Sequence, residues 1–331
     1  MTVEGRVVYW NGRFVPETEA RVSIYDSALM FGDTVFEMTR SFNGVQFKLR
    51  AHLERLYAGL KILEFPPVMS IQKLEQACLD TIDANRHCFQ PDDEHRLMIN
   101  ITRGLLGIYQ DEVAIPNGPN VIIADFPLRW TVASMGELFE HGINAAIPAQ
   151  RVIPARYLDP KIKNRSRLHY MMANIQVSRF AGERNWALLL DDSGFIAEGT
   201  GDNFFIVKNE KVITPRGHNI LRGISRDYII ESLCPALGLD VEERDIEPYD
   251  VHGADEAFMT GTPFCMLPVT SLDGLAIGGG RPGPVYRRLL EAWGERVGLD
   301  IAQQIKRWAR DAKPAGDAPT PYRFKATTET N

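Results

Sequence analysis

The Asn-Gly pairs at residues 11–12 and 43–44 constrain the fold more than any other feature of the sequence. Each pair interrupts a run of apolar, β-forming residues, and Asn-Gly is the strongest short signal for a two-residue type I′ hairpin turn. The first pair predicts a hairpin over residues 7–14, and the second predicts a hairpin from residues 35–41 into residues 45–49. Antiparallel hairpins argue against a simple parallel sheet of βαβ units.

Helical and strand patterns interleave along the rest of the chain. Apolar residues at helical spacing predict a helix over residues 52–63, and Ser70 is the predicted N-cap of a helix through about Asn85. Further helices are predicted over residues 168–180, 226–238 and 283–297, and strands over 96–102, 120–126, 142–147, 187–190, 204–208, 211–214 and 256–260. These patterns predict an α+β protein of two domains.

The predicted boundaries follow from shifts in composition. We expect a small α+β domain over residues 1–125, an interdomain loop over 126–134 and a large domain over 135–305. The Pro- and Thr-rich segment at 306–331 is predicted to be a flexible tail.

Composition narrows the class of protein and its partners. The 331 residues are 44% hydrophobic and 24% charged, as in globular proteins. A net charge of −6 argues against nucleic acid or an anionic membrane as the partner. The four cysteines are widely spaced without a CxxC pair, which favours reduced thiols in the cytoplasm and predicts no metal site. A small-molecule enzyme of the cytoplasm fits these properties.

Two segments suit a phosphate group, although the nucleotide-binding patterns GxxxxGK[ST] and GxGxxG are absent. Residues 221–225, Leu-Arg-Gly-Ile-Ser, open a predicted helix whose first N–H groups and dipole attract anions. Residues 260–263, Thr-Gly-Thr-Pro, follow a predicted buried strand and offer a hydroxyl and backbone donors. When each segment is considered alone, an ordinary helix cap or turn is the more common explanation.

A lysine and a glutamate lie in contexts that suit acid–base chemistry. Lys163 precedes a helix among the cations Lys161, Arg165 and Arg167, which lower the pKa of a lysine amine. Glu198 follows an apolar strand and is surrounded by small residues, where a buried acid needs a partner such as a pyridinium nitrogen. A solvated basic run and a surface acid are the alternatives.

Six segments in order resemble the class IV aminotransferases, the pyridoxal-5′-phosphate (PLP) enzymes of fold type IV. They are FGDTVFE, FKLRAHLERL, KIKN, EGTGDNFF, LRGISRD and TGTPFCMLPV. The resemblance extends from about residue 5 to about residue 300, and the six segments together are far more specific than any one of them. The resemblance implies the two-domain α+β fold of the D-amino acid aminotransferase-like enzymes, in which residues 135–305 bind PLP.

The resemblance also implies a role for each cofactor residue. Lys163 would hold PLP as a Schiff base and serve as the general base of a ping-pong transamination. Glu198 would pair with the pyridine nitrogen, and Arg50 would bind the phosphate. The other implied cofactor-binding residues are Asn203, Leu221, Gly223, Ile224, Ser225 and Thr262. His169 and Tyr170 both lie where the family often has a tyrosine that contacts the cofactor hydroxyl.

The substrate is expected to be a branched-chain L-amino acid, with a 2-keto acid as the acceptor. Phe36 and Arg40 match the branched-chain pattern, whereas Phe31 replaces a usual tyrosine and residues 94–97 replace the usual YIRP. Residues 159–164 look closer to the (R)-amine transaminases. A D-amino acid or (R)-amine transaminase and an aminodeoxychorismate lyase therefore remain alternatives.

The resemblance implies an apolar substrate pocket in a homodimer. The expected substrate-binding residues are Phe31, Phe36, Arg96, Thr262, Pro263 and Phe264. Arg103 and Arg129 are alternative ligands for the substrate carboxylate.

Overall fold

The computed structural model describes residues 5–114 and 117–311, and the chain forms two compact units. The first unit runs to Trp130 and includes a returning segment, Pro160–Arg167. The second unit comprises Thr131–Asp159 and the chain from Leu168 onwards. Lys163 therefore belongs to the first unit, whereas the predicted boundaries placed it in the large domain.

The first unit is built around one antiparallel sheet covered by two helices. Its elements are β1 (Val7–Trp10), β2 (Arg13–Pro16), α1 (Ser27–Phe31), β3 (Thr34–Met38), β4 (Ser41–Phe42), β5 (Val45–Gln46), α2 (Leu49–Ile62), α3 (Ile71–Asn85), β6 (His95–Thr102) and β7 (Asn120–Pro127). The sheet order is β2-β1-β7-β6-β3, so β3 is an edge strand. The helix α4 (Arg129–Val132) occupies the predicted interdomain loop.

Helical periodicity explains the core of the first unit. Leu53 and Leu56 of α2 and Leu74 of α3 pack on Leu97 and Ile99 of β6, and all five side chains are fully buried. A buried leucine contributes about 1.5–3 kcal/mol through the hydrophobic effect. Ser70 caps α3 as predicted, because its hydroxyl accepts the backbone N–H of Lys73.

The first predicted hairpin is confirmed, and the second is partly wrong. Asn11 and Gly12 both have positive φ between β1 and β2, as a type I′ turn requires. Asn43-Gly44 connects only the two-residue strands β4 and β5. The longer strand β3 takes no part in this hairpin. Phe36 and its neighbours pair instead with β6, which lies more than fifty residues later in the sequence.

The second unit is a closed sheet with helices around it. Its elements are α5 (Leu138–His141), β8 (Ile143–Ala146), α6 (Leu168–Val177), β9 (Asn185–Leu190), β10 (Ile196–Gly199), β11 (Asn203–Lys208), β12 (Lys211–Thr214), α7 (Ile224–Tyr228), α8 (Cys234–Ala236), β13 (Val241–Glu243), α9 (Pro248–His252), β14 (Glu256–Gly261), β15 (Cys265–Leu272), β16 (Leu275–Ala276), α10 (Pro284–Val297) and α11 (Ile301–Asp311). A π-helical turn over Ile229–Leu233 joins α7 to α8.

Six strands of the second unit close on themselves. The order β10-β9-β8-β15-β14-β11 is completed by a pairing of β10 with β11, and β12 and β13 extend the sheet beyond β11. The closing pair consists of Glu198 and Asn203. Closure therefore places the glutamate singled out from the sequence directly beside Asn203.

The end of the second unit differs from the prediction of a flexible tail from residue 306. Residues 306–311 continue α11, in which Ile305 and Trp308 are buried. The remainder of the predicted tail, 312–331, lies outside the described residues. Within the described ranges, no helix combines the length and the apolar content needed to cross a membrane.

Candidate active site

The backbone around Lys163 is attached to the edge strand of the first unit. The N–H of Phe36 donates to the carbonyl of Lys163 at 2.9 Å, and the N–H of Arg165 donates to the carbonyl of Thr34 at 3.0 Å. Asn164 folds the segment back, since its amide donates to the carbonyl of Ile162 and accepts the N–H of Ser166. These bonds cover part of an exposed sheet edge and fix the origin of the Lys163 side chain.

The side chain of Lys163 lies over an aromatic ring that it shares with two arginines. Its Nζ is 4.9 Å from the centroid of the Phe36 ring. The guanidinium carbons of Arg165 and Arg167 lie 3.7 and 5.8 Å from the same centroid. Arg165 also donates two hydrogen bonds to Oδ1 of Asn100, at 2.8 and 3.1 Å. Three of the basic residues noted in the sequence thus surround one ring.

A buried carboxylate, Glu37, lies on the opposite face of β3. Arg55 binds both of its oxygens, at 2.6 and 2.8 Å, and Nδ1 of His52 lies 2.8 Å from Oε2. Burial raises the pKa of Glu37, but Arg55 and His52 outweigh it and hold that pKa well below its usual value. Burial lowers the pKa of His52, and the charge of Lys163 lowers it further. These effects keep the glutamate charged and the histidine neutral at pH 7.

Arg50, the predicted phosphate ligand, lies on another face of α2. Its guanidinium donates to Glu75 at 2.9 Å and to Glu54 at 3.2 Å, and its side chain is 42% exposed. Arg55, one and a half turns later, is 13% exposed beside Glu37. Arg55 is thus grouped through Glu37 with His52, whose pKa the charge of Lys163 lowers, whereas Arg50 pairs with partly exposed glutamates.

Glu198 is the centre of a hydrogen-bonded cluster in the second unit. The hydroxyl of Tyr170 donates to Oε1 at 2.7 Å. The N–H of Leu221 and the amide of Asn203 donate to Oε2, at 3.0 and 3.3 Å. Glu198 is only 4% exposed, and these three donors are uncharged. Of the two candidates His169 and Tyr170, the tyrosine donates a hydrogen bond to the glutamate.

The segment predicted to bind phosphate continues directly from this cluster. The amide of Asn203 also donates to the carbonyl of Leu221 at 2.8 Å. A Cβ on Gly223 would lie 2.1 Å from Oδ1 of Asn203, so a side chain at residue 223 is excluded. Gly223 precedes α7, and Ile224 and the buried Ser225 form its first turn. The glycine is required by close packing rather than by a positive φ.

The turn between β14 and β15 carries the third predicted segment. Thr262 and Pro263 are half-buried, and Phe264 is buried. The rings of Phe264 and Trp186 meet edge to face, with their centroids 5.7 Å apart. Cys265 has φ 63°, an uncommon conformation for a residue with a Cβ. The carbonyl of Cys265 accepts the hydroxyl of Thr260 at 2.6 Å, which holds the turn in place.

The arginines considered as carboxylate ligands differ in their surroundings. Arg103 binds Asp33 and donates to the carbonyls of Leu63 and Glu64, just after α2, at 2.7 and 2.9 Å. Arg129 pairs with Asp92 and Asp93. Both are therefore structural. Arg96 is buried on the face of the sheet that carries Phe36, with Nη2 3.7 Å from the sulfur of Met38. Phe31, by contrast, is 65% exposed on α1.

Comparison with known proteins assigns the chain to a family. The family model Amino-transferase class IV matches residues 34–272, which is more than half of the chain. The chain belongs to the class IV aminotransferases. A branched-chain-amino-acid aminotransferase of Escherichia coli K12 is 32% identical over 93% of this chain and 97% of its own length. A D-alanine aminotransferase of Bacillus licheniformis is 30% identical over 90% and 99%.

A solved structure of the family extends the comparison to the fold and the cofactor. The branched-chain amino acid aminotransferase from Thermobaculum terrenum, in its PLP form, superposes with a TM-score of 0.76 at 27% identity, over 92% of this chain and 97% of that chain. Class IV aminotransferases are PLP enzymes of fold type IV, so the predicted fold class and cofactor are confirmed.

The residues of this class IV aminotransferase fit PLP. A buried carboxylate held by uncharged donors suits the protonated nitrogen of a pyridine ring, which is a charge-assisted donor. Gly223 packs closely against Asn203 and precedes α7, whose first N–H groups suit a phosphate. Sequence reasoning gave no role to Arg55, although it shares an inward helical face with His52 and Gly59.

Proposed function

We propose that the protein transfers the amino group of a branched-chain L-amino acid to a 2-keto acid, with Lys163 as the lysine that holds PLP. The placement of Lys163 carries this proposal, because its backbone is bound to β3 and its amine lies over a buried apolar ring. The substrate class is supported by the relatives from Escherichia coli and Thermobaculum terrenum, both of which are named branched-chain amino acid aminotransferases.

Each site residue has a chemical task in this proposal. PLP, when bound, supplies an electron sink that makes the substrate Cα–H acidic. The free amine of Lys163 would take the proton from the substrate Cα as general base and, as general acid, would deliver it to the C4′ carbon of the cofactor. Glu198 keeps the ring nitrogen protonated, and Tyr170 and Asn203 orient the Glu198 carboxylate.

The phosphate is assigned to donors from several segments. Ile224 and Ser225 offer the first N–H groups and a hydroxyl of α7, Gly223 permits close approach, and Thr262 offers a second hydroxyl. Leu221 packs against the ring. Arg50 was the arginine expected from the sequence, but we assign this role to Arg55 because it is grouped with His52 near Lys163.

Residues of each unit are assigned to the substrate: in the first unit, on the apolar face of its sheet; in the second, in the turn after β14. Phe36 and Phe264 provide apolar surface for a branched side chain. Phe31, Thr262 and Pro263 are the other proposed substrate-binding residues. Arg96 is the candidate for the substrate carboxylate, because it is buried beside Met38 on the same face as Phe36.

We further propose a cytoplasmic homodimer. Ile24, Leu29 and Phe31 are 69%, 67% and 65% exposed in the single chain, and several large apolar side chains exposed within eight residues favour an interaction surface. A second copy of the chain would cover them. Light scattering on the purified protein tests this directly, and a monomer would contradict it.

The decisive test of function is a half-reaction without any acceptor. L-leucine, D-alanine and (R)-1-phenylethylamine are added separately to the PLP-loaded protein, and the loss of its visible absorbance is followed. Conversion by L-leucine alone supports the proposal. Conversion by D-alanine, which the Bacillus licheniformis relative makes the second candidate, or by the amine would replace it. Pyruvate released from aminodeoxychorismate would identify a lyase.

A second measurement identifies the lysine. Reduction of the PLP-loaded protein with borohydride, followed by peptide mass spectrometry, should find the cofactor on Lys163. The matched variants Lys163→Ala and Lys161→Ala should respectively abolish and retain this attachment. Attachment to Lys161 would overturn the assignment.

A further inference from the structure

Lys163 and Arg165, which share the Phe36 ring, are both attached to the sheet of the first unit. The backbone carbonyl of Lys163 accepts the N–H of Phe36, and the guanidinium of Arg165 donates two hydrogen bonds to the side chain of Asn100. Asn100 and Phe36 are paired residues of β6 and β3, so both contacts of Arg165 come from adjacent strands of one sheet. Arg165 is therefore part of the rigid scaffold rather than a solvated cation.

Shared contact with one ring limits the distance between the two charges. Nζ of Lys163 and Cζ of Arg165 lie 4.9 and 3.7 Å from the same centroid. The two charges are thus separated by less than one Debye length, about 10 Å at 0.1 M salt. The guanidinium carbon of Arg167 lies 5.8 Å from the same centroid, so it is further from the ring than that of Arg165.

Resting on the proposed function, we infer that Arg165 is a positioning residue for Lys163: held by Asn100 over Phe36, it disfavours the ammonium form of the lysine. A neutral amine is the form that attacks an aldehyde and accepts a proton. A fixed like charge lowers the pKa of a lysine by disfavouring its protonated state, and a charge that cannot swing away does so more strongly than a solvated one.

Other charged groups around Lys163 also favour or disfavour its ammonium form, but each does so only in part. Glu37, on β3, would favour the ammonium, but it is neutralised by Arg55 and hydrogen-bonded to His52. His52, on α2, is buried, and the charge of Lys163 contributes to lowering its pKa. Lys161 and Arg167 belong to the same segment as Lys163. Arg165 combines the shorter distance to the ring with two side-chain bonds to the sheet.

The test measures Lys163 itself rather than turnover. The full-length, cofactor-free protein is pulsed with acetic anhydride between about pH 7 and about pH 11, and acetylation of each lysine is quantified by peptide mass spectrometry. Lys211, whose side chain is 43% exposed, serves as the internal reference for reagent chemistry. The pH midpoint for Lys163 reports the pKa of its amine in each variant.

Arg165→Met should raise the Lys163 midpoint by on the order of one pH unit. Arg167→Met, the matched control, should raise it by less than half as much. Arg165→Lys should restore most of the lowering, since it returns the charge. If Arg165→Met does not fold, Asn100→Leu, which releases the guanidinium without removing it, should give a partial rise. An unchanged midpoint in both, or an equal effect of Arg167→Met, would overturn the inference.

Failure of this inference is distinguishable from failure of the proposed function. Borohydride mapping to Lys163 with an unchanged midpoint rejects only the role of Arg165. A raised midpoint with cofactor attached to another lysine rejects the catalytic assignment of Lys163 while leaving the electrostatic coupling intact.

Discussion

In the first unit Lys163 lies among charged side chains, whereas in the second unit Glu198 is held by three uncharged donors. The difference matches the tasks that the proposed function gives to the two groups. A lysine that gains and loses a proton is tuned by nearby charges, because their effect differs between its two forms. A carboxylate that keeps one charge throughout needs orientation, which neutral hydrogen bonds provide without neutralising it. Under the proposed function, the first unit would tune a pKa and the second would fix a geometry.

The comparison predicts its largest effect for the second unit. Glu198→Gln keeps the shape of the side chain but removes the charge that matches a protonated ring nitrogen. We expect kcat to fall by about 10²–10³-fold, since truncating one partner of a buried charge pair costs about 2–5 kcal/mol. Steady-state kinetics with L-leucine measure this.

Glu256→Gln is the matched control for that variant. Glu256 is another buried carboxylate of the second unit, and it accepts the N–H groups of Val285 and Tyr286 at the start of α10. This change should lower the melting temperature and leave kcat within about twofold. A comparable loss of kcat in both variants would mean that Glu198 acts through stability alone.

The next largest effect distinguishes the two arginines of α2. Arg55→Met should weaken PLP binding by about 10–100-fold, because a hydrogen bond to a charged group contributes about 1.5–3 kcal/mol. Arg50→Met removes an exposed pair and should change the PLP dissociation constant by less than about twofold. Equilibrium dialysis of PLP measures both constants.

One complication of Arg55→Met has its own control. Removing Arg55 leaves Glu37 buried and without its bidentate partner, which is destabilising. The double variant Glu37→Gln, Arg55→Met removes both charges, so a loss of PLP affinity that persists in it cannot be attributed to the unpaired glutamate. A larger effect of Arg50→Met than of Arg55→Met would restore the arginine expected from the sequence.

These arginines also show how far sequence reasoning reaches. The hairpin at Asn11-Gly12, the helix capped by Ser70 and the six ordered segments were sufficient for the fold class and the family. Arg50 and Arg55 belong to the same segment, and only the helical face separates them. A signal was available: Glu54 lies four residues after Arg50, the spacing of a surface ion pair, whereas Gly59 lies four after Arg55.

Other features depended on contacts that no local pattern contains. The segment Pro160–Arg167 returns to the first unit because its backbone pairs with β3, more than a hundred residues earlier. The strand β3 was assigned to a local hairpin because Asn43-Gly44 is close in sequence, but its partner β6 is distant. Lys161 and Lys163 lie only two residues apart, so the sequence does not fully separate them; the backbone bond of Lys163 to β3 supports the proposal for Lys163.

The charged surroundings of the first unit predict a dependence of stability on pH. His52 is buried with a pKa below its usual 6.5, so the unfolded chain binds more protons in this range. Its contribution is fully present above the unfolded pKa and is lost as the pH falls. The lowered pKa of Glu37 acts in the same direction below its usual 4.5. Both groups therefore predict acid lability.

Urea unfolding of the protein at about pH 7 and about pH 5 tests the contribution of His52. The unfolding free energy should decrease toward pH 5 in the native sequence, and the decrease should be smaller in His52→Gln, which retains a hydrogen-bonding side chain for Glu37. A decrease of the same size in both proteins would show that other groups govern the acid response.

The smallest effect concerns one donor of the second unit. Tyr170→Phe removes the 2.7 Å hydrogen bond to Oε1 of Glu198 but leaves the bonds from Leu221 and Asn203 to Oε2. Because two neutral donors remain, we expect a loss of about 1 kcal/mol, which is about fivefold in PLP affinity. Tyr286→Phe, which removes a buried 3.4 Å bond to a carbonyl, is the control and should leave PLP affinity unchanged. If Tyr170→Phe reduces activity as much as Glu198→Gln, the tyrosine takes part in the chemistry. The neutral donors of the second unit would then do more than orient the Glu198 carboxylate.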